Sequence, residues 1–243
     1  MTRTKEQKAA DRARFRQLSP AKKAEHIWLY YKWFIILGVA VLVILGGVIH
    51  RVLTRKEPHL YMAFFNVSVS ESLETELTRD YLLRAGLNPD RTEFVLYRGL
   101  YLSREATGDA QRSAYASQIK LQASTELRQL DLVLMSRQAY DFLSARGYLL
   151  PIRTLCGEDA ALLKALEPCI TENSVTLEDN EIEYLLGEAE EHEIQAESAE
   201  NALLVNELPL FAGLYNEPVY LGVVANSPRT GECRAYVADL FGR

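Results

Sequence analysis

The chain has 243 residues, 48% of them hydrophobic and 25% charged, a net charge of −6 and three cysteines. That length supports one or two domains with a real core, and a single Cys pair with one thiol left over excludes a disulfide framework as the source of stability. The charge is divided: residues 1–32 carry nine Lys/Arg against three Asp/Glu, residues 51–243 carry eighteen against thirty, and halves of opposite sign face different environments.

The basic end reads as a nucleic-acid or membrane-surface segment, or as a solvated tail. The adjoining segment favours the membrane. Residues 19–38, SPAKKAEHIWLYYKWFIILG, place Trp28, Tyr30, Tyr31 and Trp33 between the basic arm and an apolar run, and residues 33–49 contain no charge. Seventeen to eighteen residues at 1.5 Å rise give about 27 Å, close to the ~30 Å of a hydrocarbon layer. No small-x-small cleavage site comes after the run, so the spacing predicts an uncleaved transmembrane helix over 33–50, with lipid as partner and no nucleic acid. The excess of Lys/Arg on the arm puts residues 1–32 in the cytoplasm and the C-terminal domain outside the cell. Trp28, Tyr30, Tyr31, Lys32 and Trp33 then form an interfacial collar, Lys32 reaching its amine to the phosphates. Pro20 after Ser19 starts an amphipathic helix in the arm.

Residues 51–59 form a linker, and residues 60–243 an extracellular α/β domain. LYMAFFNV (60–67) reads as a buried strand. Ser70 caps a helix with Leu73, Leu77, Tyr81 and Leu82 on one side, ended by Gly86. TEFVLYRGL (92–100) alternates as a second strand. Residues 109–129 read as a helix with Ala116, Ile119, Ala123, Leu127 and Leu130 on its core stripe. LDLVLMS (130–136) is a third strand and YDFLSARGYL a short helix. Beyond Pro151 a helix near 158–167, short strands at EIEYLL and ENALLVN, a strand over 218–227 and a final helix complete the pattern. The β-α-β-α-β-α order predicts a mixed, largely parallel sheet with helices on its faces.

Chemistry is sparse. GxSxG, HExxH, GxxxxGK[ST] and GxGxxG are all missing, and His26, His50, His59 and His192 do not pair at helical spacing. Cys156, Cys169 and Cys233 form no CxxC and have no His at ligand spacing, so neither a metal site nor a cofactor is expected; Cys156 and Cys169 either pair across a short loop or stay as thiols. Asn66-Val67-Ser68 matches a glycosylation sequon. Between Lys164 and Arg229 there is no Lys or Arg and there are fourteen Asp/Glu, densest over 178–200, a cation-binding surface or a solvated acidic face. An enzyme is not expected, and no catalytic residue is assigned.

Three segments together, LYMAFFN, LQASTELRQLDLVLMSRQAYDFLSARGYLLPI and NEPVYLGVVANSPRTGECRAYVADLFG, resemble type-2 periplasmic (extracellular solute-binding) proteins. The chain as a whole also resembles uncharacterised single-pass membrane proteins of Gram-positive bacteria. The first resemblance implies a reduced binding-protein-like domain with a ligand cleft outside the carboxyl ends of its strands. It places Asn66 and Ser68 after the first strand, and Ser136 and Tyr140 after the third, at that cleft. The expected function is a membrane-anchored extracytoplasmic binding domain of unspecified ligand. The alternative is an accessory subunit of a membrane or cell-wall complex, with a protein partner and no small-molecule ligand.

Overall fold

The computed structural model describes residues 28, 32–34, 36–47, 56–103, 106–179 and 194–242. The chain divides into two compact units, Met1–Arg55 and Lys56–Arg243.

In the first unit, 32–34 and 36–47 are helical. The expected transmembrane helix over 33–50 is corrected here: among the described residues no helix is both long and apolar enough to cross a membrane. Ile35 and 48–50 lie outside the described residues.

The second unit is a three-layer α/β/α arrangement around one six-stranded sheet. Its elements are β1 (Glu57–Phe65), α1 (Glu71–Thr75), a π-helical turn (Glu76–Asp80), α2 (Tyr81–Arg84), β2 (Thr92–Leu100), α3 (Asp109–Glu126), β3 (Leu132–Ser136), α4 (Arg137–Ala145), α5 (Ile152–Cys156), α6 (Ala160–Leu166), β4 (Ile170–Asp179), β5 (Ile194–Leu204), β6 (Val219–Val223) and α7 (Thr230–Leu240). The strand order is β2-β1-β3-β6-β5-β4. Only β1·β2 and β1·β3 are parallel; β3·β6, β5·β6 and β4·β5 are antiparallel. The sheet is therefore mixed rather than largely parallel, because the chain beyond Pro151 returns as an antiparallel ribbon instead of further βαβ units.

Alternation along the strands divides the core. Leu60, Met62 and Phe64 of β1, Leu132 and Leu134 of β3, and Val219, Leu221 and Val223 of β6 point to one face, covered by α1, α2, α5, α6 and α7. Ala63, Phe65, Val133, Met135 and Tyr220 point to the other, covered by α3 and α4. Gly222 sits on this second face because a Cβ there would meet Leu149 Cδ2 at 2.9 Å, Met135 Cε at 3.0 Å and Val133 Cγ2 at 3.2 Å. On the first face Tyr81, Phe94 and Tyr236 form an aromatic knot, Tyr81 and Tyr236 edge to face with centroids 4.7 Å apart. The buried Tyr236 hydroxyl donates to Leu77 O in the π-helical turn at 3.1 Å.

The amino end of β3 is tied down by one buried carboxylate. Asp131, fully buried, accepts from Tyr61 N (2.8 Å), Ser227 Oγ (2.6 Å) and Arg229 Nε (2.9 Å). Arg229 also donates to Arg128 O at 2.7 Å and stacks 4.7 Å from the Tyr61 ring centroid. One charge thus joins β1, β3 and the β6–α7 loop.

The stripe expected to bury α3 is corrected as well. Ala116, Ile119, Ala123 and Leu127 are exposed; the buried face carries Ala114, Ser117, Leu121 and Ser124 instead, with Leu130 buried beyond the helix end. Small residues let α3 lie close, and the serines return their hydroxyls to their own helix, Ser117 to Ser113 O (2.9 Å) and Ser124 to Lys120 O (2.6 Å), so they bury without an orphan donor.

Cys156, Cys169 and Cys233 are free thiols. Burial, with the Asp131 charge next, pushes the Cys233 thiol up to about 12, and burial, with the Asp239 charge next, pushes the Tyr81 phenol up to about 12. In the unfolded chain these groups ionise near their ordinary values, about 8.5 and 10. Their contribution to stability is complete below pH ~8.5 and is lost as pH climbs from there to about 12, where the folded groups ionise too. Urea unfolding midpoints are expected to fall between pH 8 and pH 10.5 and to recover part of the loss in Cys233→Ala; a flat profile contradicts this packing.

Candidate functional site

The order β2-β1-β3 creates a switch point. The connection after β1 leaves to the face of α1, and β3 runs directly into α4 on the opposite face. The carboxyl ends of β1 and β3 are therefore left as the walls of a crevice, the place where open α/β sheets hold ligands.

Asn66 closes β1 in the left-handed region, φ 57°, a conformation its short polar side chain tolerates. That side chain clasps the loop after β2: Oδ1 accepts from Leu102 N and Nδ2 donates to Leu102 O, both at 2.7 Å. The same amide donates to Gln138 Oε1 at 3.2 Å, and Gln138 Nε2 donates to Ser103 Oγ at 3.1 Å. A relay of amides and hydroxyls thus runs from β1 across the β2–α3 loop to α4. Because both hydrogens of the Asn66 amide nitrogen are donated, a glycan on the Asn66 sequon, which replaces one of them, would cost one of these bonds.

Ser136 ends β3 and caps α4, its hydroxyl accepting from Ala139 N at 3.5 Å. Ser68 is exposed, and its carbonyl accepts from the Tyr215 hydroxyl at 2.9 Å, which ties the loop after β1 to the segment leading into β6. Tyr140 lies elsewhere. It is fully buried, its ring 4.7 Å from that of Tyr220, and its hydroxyl bonds Thr171 O and Asn201 Oδ1, both at 2.9 Å. Asn201 Nδ2 donates to Ser144 Oγ (2.8 Å), which donates to Ser174 O (3.0 Å). This is a closed network that ties α4 to β4 and β5, and desolvation raises the Tyr140 pKa well above the ordinary phenol value.

The structure therefore puts Asn66 and Ser136 at the carboxyl ends of β1 and β3, leaves Ser68 exposed in the loop after β1 and places Tyr140 in the core. It adds Gln138, Ser103, Asp141 and Asn173. These line a hollow of about 370 Å³ on the α4 side, with Phe142 as its apolar wall. Asp141 is held by Arg137 Nε at 2.9 Å and Asn173 Nδ2 at 2.8 Å. Gln138 and Asp141 sit in the first turns of a helix that follows a strand directly, a signal available in the sequence. Asn173 is not, because β4 is polar on both faces and reads as a loop.

A second hollow of about 660 Å³ runs along the β4–β5 ribbon, floored by Leu149, Val175 and Leu177 and rimmed by Glu172, Glu197 and Glu200. Arg153 Nε donates to Glu200 at 2.7 Å, and Ser198 bonds Glu172. The densest acidic residues, 180–193, and the expected strand EIEYLL lie outside the described residues. Among the described residues no three His, Cys, Asp or Glu side chains converge as metal ligands. Of the collar, Trp28 and Trp33 are exposed, with the Lys32 amine 5.9 Å from the Trp33 ring centroid; Tyr30 and Tyr31 lie outside the described residues.

No family model matches the chain, and comparison with curated proteins and with solved structures finds no similar protein. The likeness to solute-binding proteins rests on the sequence patterns alone.

Proposed function

We propose that the unit Lys56–Arg243 is a non-catalytic binding module that takes a small, neutral, polar ligand at the β1/β3 crevice. The observation that carries this reading is the switch-point geometry with its amide and hydroxyl relay of Asn66, Gln138 and Ser103, opening into a hollow lined by Asn173 and Asp141. Donors and acceptors alternate there around one aromatic wall. That suits a polyhydroxylated or amide-rich ligand, such as a sugar or a short peptide, over an anion or a bulky apolar molecule. No nucleophile with an activating base accompanies them among the described residues, which favours capture over turnover.

The same reading gives the chain a lipid bilayer as its second partner. The uncharged run 33–49 comes after nine Lys/Arg, and the side chains described within it, Trp33, Phe34, Leu37 and Leu42 among them, are 62% to 74% exposed. So much bare apolar surface calls for an apolar medium. Anionic headgroups would attract the basic arm.

Thermal-shift screening of the full chain in mild detergent against monosaccharides, amino acids and short peptides tests the ligand. At about 100 times its dissociation constant, the right class adds ~2.7 kcal/mol, about 5–10 °C in a unit of this size. Uniform silence across the three classes contradicts a small-molecule site. It favours the accessory reading, for which the open groove along β4–β5 is the supporting observation.

A further inference from the structure

The outward face of α3 is built like half of an interface. At 3.6 residues per turn, Arg112, Tyr115, Ile119, Ala123, Glu126 and Leu127 fall within an arc of about 120°, opposite the buried Ala114, Ser117, Leu121 and Ser124. Tyr115, Ile119 and Leu127 are 66%, 51% and 67% exposed, a contiguous apolar stripe along an eighteen-residue helix. Isolated exposed apolar residues need no explanation, but a stripe at helical period does.

The pattern on the stripe identifies its occupant. It is symmetric about Ile119. Four residues to one side stands the large Tyr115, and four to the other the small Ala123. Seven to one side stands the cationic Arg112, and seven to the other the anionic Glu126. Two copies laid antiparallel, with Ile119 on Ile119, therefore place Tyr115 over Ala123 and Arg112 beside Glu126, twice each. Self-complementarity of this kind is what a two-fold interface requires. The present partners of the two charges are weak ones: Arg112 lies 3.6 Å from Asp109 with both side chains almost fully exposed, and Glu126 accepts from Gln122 within the same helix at 3.0 Å.

We propose that α3 docks onto α3 of a second copy of this chain, antiparallel, with the two-fold axis at Ile119. This pairing is independent of any ligand at the β1/β3 crevice. One helix per copy makes an interface below standard size, so the dimer is a reversible one, favoured where chains are concentrated on a surface.

A residue on a two-fold axis meets itself, which makes cross-linking decisive. Ile119→Cys is placed in the full chain with Cys169→Ser; Cys156 and Cys233 are fully buried. Under mild copper-phenanthroline oxidation most of this variant is expected to run as a disulfide-linked dimer. Glu93→Cys, exposed on β2, is expected to stay monomeric. Adding Arg112→Glu should reduce the Ile119→Cys dimer several-fold, and adding Glu126→Arg to that variant should restore it. Equal cross-linking of Ile119→Cys and Glu93→Cys overturns the pairing. So does a charge swap that fails to restore it, since that variant keeps the exposed apolar stripe and loses only the register.

Discussion

Asp131→Ala is expected to destabilise the unit Lys56–Arg243 by about 3–5 kcal/mol, the range for breaking a buried ion pair from one side. The carboxylate is fully buried and takes three hydrogen bonds, from Tyr61 N, Ser227 Oγ and Arg229 Nε. Its removal leaves a backbone N–H and a hydroxyl without an acceptor inside the fold, each costing about 1–3 kcal/mol. Arg229, 24% exposed, recovers part of its loss by turning to water. Urea denaturation with an unchanged slope, or a fall of about 10 °C in the melting midpoint, reads the effect. Asp131→Asn keeps the shape and one acceptor, and falls between. A change below about 1 kcal/mol would mean that this junction of β1, β3 and the β6–α7 loop is not what holds the amino end of the sheet.

Tyr140→Ala is expected to cost a similar amount, about 3–5 kcal/mol, by opening a cavity between α4 and the ribbon and by stranding Asn201. Tyr140→Phe separates the two contributions. It keeps the ring against Tyr220 and loses only the hydroxyl, for about 1–2 kcal/mol. Because that hydroxyl reaches Thr171 O and Asn201, the loss should be local. Hydrogen exchange is expected to quicken along β4 and β5 and to stay unchanged in β1 and β3. Uniform loss of protection, or none, contradicts the network as the tie between α4 and the ribbon.

Most of the parallel half of the sheet was legible. LYMAFFNV and LDLVLMS are short apolar runs next to helices with clear caps, and burial on both faces leaves such strands little choice. Ser70 and Ser136 cap their helices, Ser136 as the last residue of a strand rather than in a loop. Of the antiparallel half, β6 was legible as the apolar run over 218–227 and the end of β5 as ENALLVN, but β4 was not. β4, ITENSVTLED, pairs with β5 at the sheet edge and has little core to face, so its sequence carries neither alternation nor a run. α3 misleads for the opposite reason. Its strongest apolar period marks the outside, and its core face is made largely of Ala and Ser, which carry little hydrophobic signal. At the candidate site, Asn66 and Ser136 were accessible as strand-end residues. Tyr140 was misplaced because each step along a helix turns the side chain about 100°, and two steps from Gln138 carry it from the crevice to the core. The Gln138–Ser103 contact joins residues 35 apart, beyond any local pattern.

The central claim, that the β1/β3 crevice is a ligand site, is tested most directly by calorimetric titration of the best ligand from the thermal screen into the wild-type chain and into Gln138→Ala. Gln138 is exposed at the mouth of the hollow, so its removal leaves the fold intact. Loss of a hydrogen bond of about 1–1.5 kcal/mol predicts a dissociation constant weakened roughly tenfold. Equal affinity in the two proteins would place binding elsewhere and contradict the assignment of the crevice.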